Sequence, residues 1–206
     1  MLVISRKRPQ QQDAGHLPVA QRLATKFNVK VLTTPLLYDL PAESPVLERL
    51  RNMSEPASFL IPLSYRASKN LLIYLKIPFA EIFETEDEVQ IPKGSFPDGT
   101  ATDGQVECIE DLAETATRWY PIIDMEKCRS CLECVNYCLF GVYSVGKAPN
   151  PVVDQPDSCR DGCPACARVC PSGAIMFPLY EDRLIAGYGE MPTDELDDLV
   201  NLVDNI

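Results

Sequence analysis

Apolar positions in the first eighty residues follow two alternating periods. Leu2-Val3-Ile4, Val29-Lys30-Val31-Leu32, Phe59-Leu60-Ile61 and Ile82-Phe83 are short apolar runs suited to buried strands. Between the first two, Val19, Ala20, Leu23, Ala24 and Phe27 recur at helical spacing, with Pro18 acceptable in the first turn. Ser44 followed by Pro45 predicts an N-cap and first helical position, leading into Val46, Leu47 and Leu50. A further helix is predicted from about Tyr65 to Leu75. Strands alternating with helices of about ten residues predict an α/β three-layer sandwich with a mainly parallel sheet.

The pattern then breaks. Glu84, Glu86, Asp87 and Glu88 form an acidic run, and Pro92, Gly94, Pro97, Gly99 and Gly104 punctuate a loop or linker over 84–104. Val106, Ile109, Leu112, Ala113 and Ala116 read as the stripe of a helix from about Gln105 to Thr117, with Cys108 at its edge as a small packed hydrophobe. An α/β domain over 1–118 follows. Residues 181–206 are an acidic extension, in which Thr193 caps a final helix with Asp194 and Glu195 in its first turn. Leu196, Leu199, Val200 and Val203 form the apolar face of that helix.

Between these parts lies a stretch of a different kind. Eight of the nine cysteines fall in two runs, Cys128, Cys131, Cys134, Cys138 and Cys159, Cys163, Cys166, Cys170, the second followed by Pro171. Three thiolates within seven or eight residues can wrap one face of a small cluster, while a fourth, one helical turn later, points away from it. Pro121-Ile122-Ile123-Asp124 precedes the first run and Pro151-Val152-Val153-Asp154 the second. From Cys131 to Gly141 and from Cys163 to Gly173 the two runs stay in register at a constant offset. Each half therefore reads strand, cysteine loop, short helix, strand: a duplicated unit with pseudo-twofold symmetry.

This stretch, about residues 119–180, resembles the bacterial-type ferredoxins that carry two [4Fe–4S] clusters. The resemblance implies a pseudo-twofold α+β two-cluster domain. Carried over residue by residue, it implies one cluster held by Cys128, Cys131, Cys134 and Cys170, and another by Cys159, Cys163, Cys166 and Cys138. Two departures stand out. Leu139 follows Cys138 where the family pattern has proline, and Arg160-Asp161-Gly162 makes the first gap of the second run one residue longer. The competing donor chemistry is a pair of four-cysteine zinc sites, but those usually join two cysteine pairs across a spacer. Gly141 and Gly173 suit a close turn after each ligand helix.

Composition narrows the function. The formal net charge is −11; residues 1–118 carry 13 Lys/Arg against 16 Asp/Glu, and residues 119–206 carry 6 against 14. Such acidity disfavours nucleic acid and anionic lipid, and favours a redox partner with a basic docking face, steered by Glu126, Glu133, Asp157 and Asp161. Met1-Leu2-Val3-Ile4-Ser5 runs into Arg6-Lys7-Arg8 without an apolar leader, and no apolar run approaches a membrane span. A cytoplasmic protein is expected, whose clustered cysteines are metal ligands rather than disulfides.

No catalytic residue is assigned. His16, the one histidine, precedes the first predicted helix, and neither G-x-G-x-x-G nor a P-loop is present. The predicted strand ends lead into Ser5-Arg6-Lys7-Arg8, Thr33-Thr34 and Ser64-Tyr65-Arg66, a rim that is either an anion site or ordinary solvated loops. The leading expectation is an electron-transfer protein with an N-terminal recognition or regulatory domain. A redox enzyme whose α/β domain binds substrate, and an assembly factor with structural clusters, are the rivals.

Overall fold

The computed structural model describes residues 1–8, 16–84, 105–109 and 116–189. The predicted linker beyond Glu84, most of the 105–117 stripe and the C-terminal helix at Thr193 lie outside those residues.

Five parallel strands form one sheet: β1 Leu2–Ser5, β2 Val31–Thr34, β3 Ala57–Ile61, β4 Phe79–Glu84 and β5 Val106–Cys108, in the order β4-β3-β1-β2-β5. Three of these strands, β1 to β3, are buried at every position, which is why they read as continuous apolar runs rather than alternating ones. Helix α1, His16–Phe27, covers one face, where Ala20, Leu23 and Ala24 pack on Leu2, Ile4, Val31 and Leu60. Helices α2, Pro45–Arg51, and α3, Tyr65–Tyr74, cover the other, packing on Val3, Leu32, Phe59 and Ile61. Ser44 caps α2 by accepting from Val46 N–H, with Pro45 as the first helical residue; Ser64 caps α3 by accepting from Ala67 N–H.

The region from Gln105 departs from expectation. Val106–Cys108 is a strand, not the start of a helix: Val31 N–H donates to Gln105 C=O and Ile109 N–H to Thr33 C=O across the β2 edge. Val106 and Ile109 stand three apart, a helical spacing, and a three-residue strand is too short to show a period of two. The unpaired backbone of β2 decides in favour of the strand. Cys108 is accordingly exposed on an edge strand rather than packed beside a helix.

The remaining described elements are short. Strand β6 Ile122–Ile123, helix α4 Glu133–Tyr137 and strand β7 Tyr143–Val145 precede β8 Pro151–Val153, α5 Ala165–Val169 and β9 Ile175–Met176. Antiparallel pairs join β6 to β9 and β7 to β8, so each half supplies a strand to the other's sheet. Leu179–Gly189 has no regular element, as expected.

The two parts share one core. Tyr120, Ile122 and Met176 belong to the same buried cluster as Leu37, Tyr38 and Leu71. Tyr38 and Tyr120 stack at 4.3 Å and bond reciprocally: Tyr120 N–H donates to the Tyr38 hydroxyl (2.8 Å), which donates to Tyr120 C=O (2.5 Å), and the Tyr120 hydroxyl donates to Tyr38 C=O (2.9 Å). This contact stands at the carboxyl end of the sheet, where β1 leads to neighbours on both sides and open α/β folds bind their ligands.

Candidate functional site

The predicted rim does not form an open anion site. Arg8 makes a two-pronged pair with Asp39 (2.7 and 2.5 Å) and also donates to Arg118 C=O, while Asp39 accepts from Arg118 N–H. Arg6 donates to Thr34 C=O and Ile109 C=O. Arg66 pairs with Asp124 and donates to Gly173 C=O, each at 2.6 Å. Arg66 thereby holds the cysteine-bearing part against the sheet, since Asp124 precedes the first run and Gly173 follows the second.

Asp124 organises the first loop from its buried position. Its Oδ1 accepts from Glu126 N–H and Lys127 N–H, and its C=O accepts from Cys128 N–H. Burial raises the Asp124 carboxyl, but the Arg66 hydrogen bond and charge outweigh it and hold the group below the usual carboxylate range.

The eight clustered cysteines line two hollows. Cys128, Cys131, Cys134 and Cys170 surround one, a narrow cleft of about 10 Å³ walled by Ile123, Pro171 and Ile175. Cys138, Cys159, Cys163 and Cys166 surround the other, about 240 Å³, with Val142, Tyr143 and Phe140. Local backbone explains the exchange of the fourth cysteine. Cys138 caps α4 and Cys170 caps α5, both in extended conformation (φ −74°, ψ 112° and φ −70°, ψ 111°). Each leaves the helical path of its own run, and each lines the opposite hollow. Cys108 lines neither.

The loops show the duplication in detail. Gly141 and Gly173, at equivalent places, have φ of +68° and +56°. Ser130 and Gly162 are likewise equivalent, at +54° and +72°, so the first loop puts a serine in the left-handed region where the second uses glycine. Pro171 closes the first hollow; its counterpart Leu139 is 91% exposed at the second. Trp119 buttresses the second hollow from behind: its indole donates to Cys163 C=O (3.1 Å) and its ring stacks on Phe177 at 5.0 Å.

Burial pushes the Cys134 and Cys166 thiols up to about 11 and Cys159 to about 12. Burial acts on Cys170 as well, but hydrogen bonds from Ser172 and the Ala174 backbone outweigh it and lower that thiol. Ala174 N–H approaches the Cys170 sulfur at 3.3 Å, the kind of donor that stabilises a ligated sulfur.

Among the described residues no three His, Cys, Asp or Glu side chains converge tightly enough for a single metal ion. The thiols border hollows instead. Four soft donors per hollow, apolar walls and a backbone donor already aimed at sulfur suit an iron–sulfur group. A further feature, absent from the motif reading, is the Tyr143 hydroxyl: it is buried, lines the second hollow and has no partner of good hydrogen-bond geometry. Comparing equivalent positions would have exposed it, because Tyr143 matches Ile175 of the first hollow.

The chain matches no family model. An uncharacterized ferredoxin of Methanocaldococcus jannaschii is 43% identical over 63 residues, 29% of this chain and 41% of that protein. Indolepyruvate oxidoreductase subunit IorA of Methanothermobacter marburgensis is 40% identical over 65 residues, 31% of this chain and 10% of that protein. The chain thus spans less than half the length of these curated relatives. The matches support a ferredoxin-like region. Among the described residues, no helix is long and apolar enough to cross a membrane.

Proposed function

We propose that the protein passes single electrons through two [4Fe–4S] clusters, one held by Cys128, Cys131, Cys134 and Cys170, the other by Cys159, Cys163, Cys166 and Cys138. The observation that carries this reading is the sorting of the eight thiols into two hollows, each lined by three cysteines of one run and one of the other. When bound, such a cluster accepts and releases one electron with little change of shape. The protein's own contribution is to fix the thiols, exclude water with Pro171, Ile123 and Ile175 around the first site, and supply donors such as Ala174 N–H to sulfur.

The carrier reading is favoured over a substrate-binding enzyme by the docking of the cysteine-bearing part on the α/β part through buried Tyr120 and its reciprocal bonds to Tyr38. The α/β part then acts as a platform for recognition by a redox partner with a basic docking face. Glu126 and Asp157 are engaged internally by Lys69 and Arg118, so Glu133 and Asp161 are left as the acids for steering. Exposed charges are screened over about 8 Å at physiological salt. Replacing Glu133 and Asp161 with lysine should slow partner reduction and flatten its salt dependence; a wild-type rate indifferent to salt removes the steering argument.

The experiment for the main reading is elemental. Anaerobically prepared protein should hold about eight irons and eight acid-labile sulfides per chain, with a brown absorbance bleached by dithionite. Protein that binds zinc alone after anaerobic reconstitution contradicts it.

A further inference from the structure

The duplication invites comparison of the two hollows position by position. Tyr143, two residues after Gly141 in β7, is equivalent to Ile175, two residues after Gly173 in β9. Each lines its own hollow, Tyr143 beside Cys138, Cys159, Cys163 and Cys166, and Ile175 beside Cys128, Cys131, Cys134 and Cys170. The backbone device is the same; the chemistry is not. One hollow has a hydrocarbon wall at this place and the other a phenol.

That phenol is in an unusual position. Its oxygen is buried, and its surroundings offer no partner of good geometry among the described residues. A buried hydroxyl without a partner carries a desolvation cost, so such groups in folded proteins usually have an assigned acceptor. Tyr143 packs against the buried cluster that contains Cys166, and the two line the same hollow. Thiolate sulfur is the acceptor the site offers.

We propose that Tyr143 donates an O–H···S hydrogen bond to the ligated Cys166 sulfur and thereby raises the reduction potential of the second site. The inference rests on the cluster reading above. Reduction adds one electron and moves no proton: the phenol keeps its hydrogen throughout. The added negative charge spreads onto the ligand sulfurs, where a hydrogen bond to charge is about twice as strong as one to a neutral acceptor. The reduced state therefore gains more from Tyr143 than the oxidised state does, and the potential rises. Ile175 offers no hydroxyl at the equivalent place in the first site, where the sulfur donor is the Ala174 backbone.

The test is Tyr143→Phe, which keeps the ring and removes the donor. Iron and sulfide are quantified first, and each site is then titrated anaerobically with dithionite while its paramagnetic signal is followed. In the variant, the reduced-to-oxidised ratio of the second site at a fixed potential should fall about tenfold, about 59 mV for a one-electron couple, with the first site unmoved. Unchanged potentials at both sites, or an equal shift of both, overturn the proposal while leaving the cluster reading intact. Should the variant load poorly, 3-fluorotyrosine at position 143 still decides: its more acidic hydroxyl is a stronger donor and should raise the potential of the second site, and no rise overturns the proposal. Wild-type protein without iron and sulfide would instead sink the cluster reading beneath it.

Discussion

Tyr38→Phe isolates the contact that joins the sheet to the cysteine-bearing part. The substitution keeps the stacked ring at 4.3 Å from Tyr120 and deletes one oxygen. That oxygen accepts from Tyr120 N–H and donates to Tyr120 C=O, at 2.8 and 2.5 Å, and both tyrosines are 0% exposed. Phenylalanine leaves two backbone groups in a site water does not reach. Each unsatisfied buried group costs about 1–3 kcal/mol, so the pair predicts a loss of about 2–6 kcal/mol. Tyr120→Phe removes only the single donor to Tyr38 C=O (2.9 Å) and should cost about half as much. Urea unfolding of the loaded protein measures both, with the midpoint falling and the slope unchanged. Because Cys159 packs on the same core, bleaching of the second site should accompany the transition. A loss below about 1 kcal/mol for Tyr38→Phe would refute the hydrogen-bond accounting.

Two further outcomes follow from the polar contacts and the thiols. Arg66→Met should cost about 2–3 kcal/mol, below the usual range for a broken buried pair because the Arg66 side chain is 20% exposed. Asp124, held below the usual carboxylate range, contributes stability that is present above its unfolded value and lost as pH falls through the folded one; Arg66→Met should flatten this loss as pH falls below about 5, as read from urea midpoints. In protein stripped of metal, the lowered Cys170 thiol should be alkylated by iodoacetamide ahead of Cys134, Cys159 and Cys166, which stay protonated at neutral pH; peptide mapping that finds Cys166 modified first would contradict this order.

Much of this architecture is legible in local sequence because its causes are local. The Ser44–Pro45 cap, the buried runs of β1 and β3, and the repeated spacing around Gly141 and Gly173 each depend on residues a few positions apart. The strand at Val106–Cys108 does not: three residues carry no decisive period, and their conformation is imposed by the open edge of β2, over seventy positions earlier. The docking of the two parts is hidden for the same reason. Arg8 and Arg66 look like a solvated or anion-binding rim until the fold brings Asp39 and Asp124 to them. Tyr143 falls between these cases. Its place in the repeat is visible in sequence, yet only burial of its hydroxyl makes it a donor without a partner.

The exchange of cysteines between the two halves is the central claim, and paired substitutions test it directly. Cys138 follows α4 of the first run but lines the hollow of the second; Cys170 follows α5 of the second run but lines the hollow of the first. Cys138→Ala should therefore damage the site built on Cys159, Cys163 and Cys166, and Cys170→Ala the site built on Cys128, Cys131 and Cys134. Site-resolved paramagnetic spectra of the two reduced variants, set beside variants of Cys131 and Cys163 as references, make the comparison. The account predicts that Cys138→Ala groups with the Cys163 variant and Cys170→Ala with the Cys131 variant; the opposite grouping would contradict it.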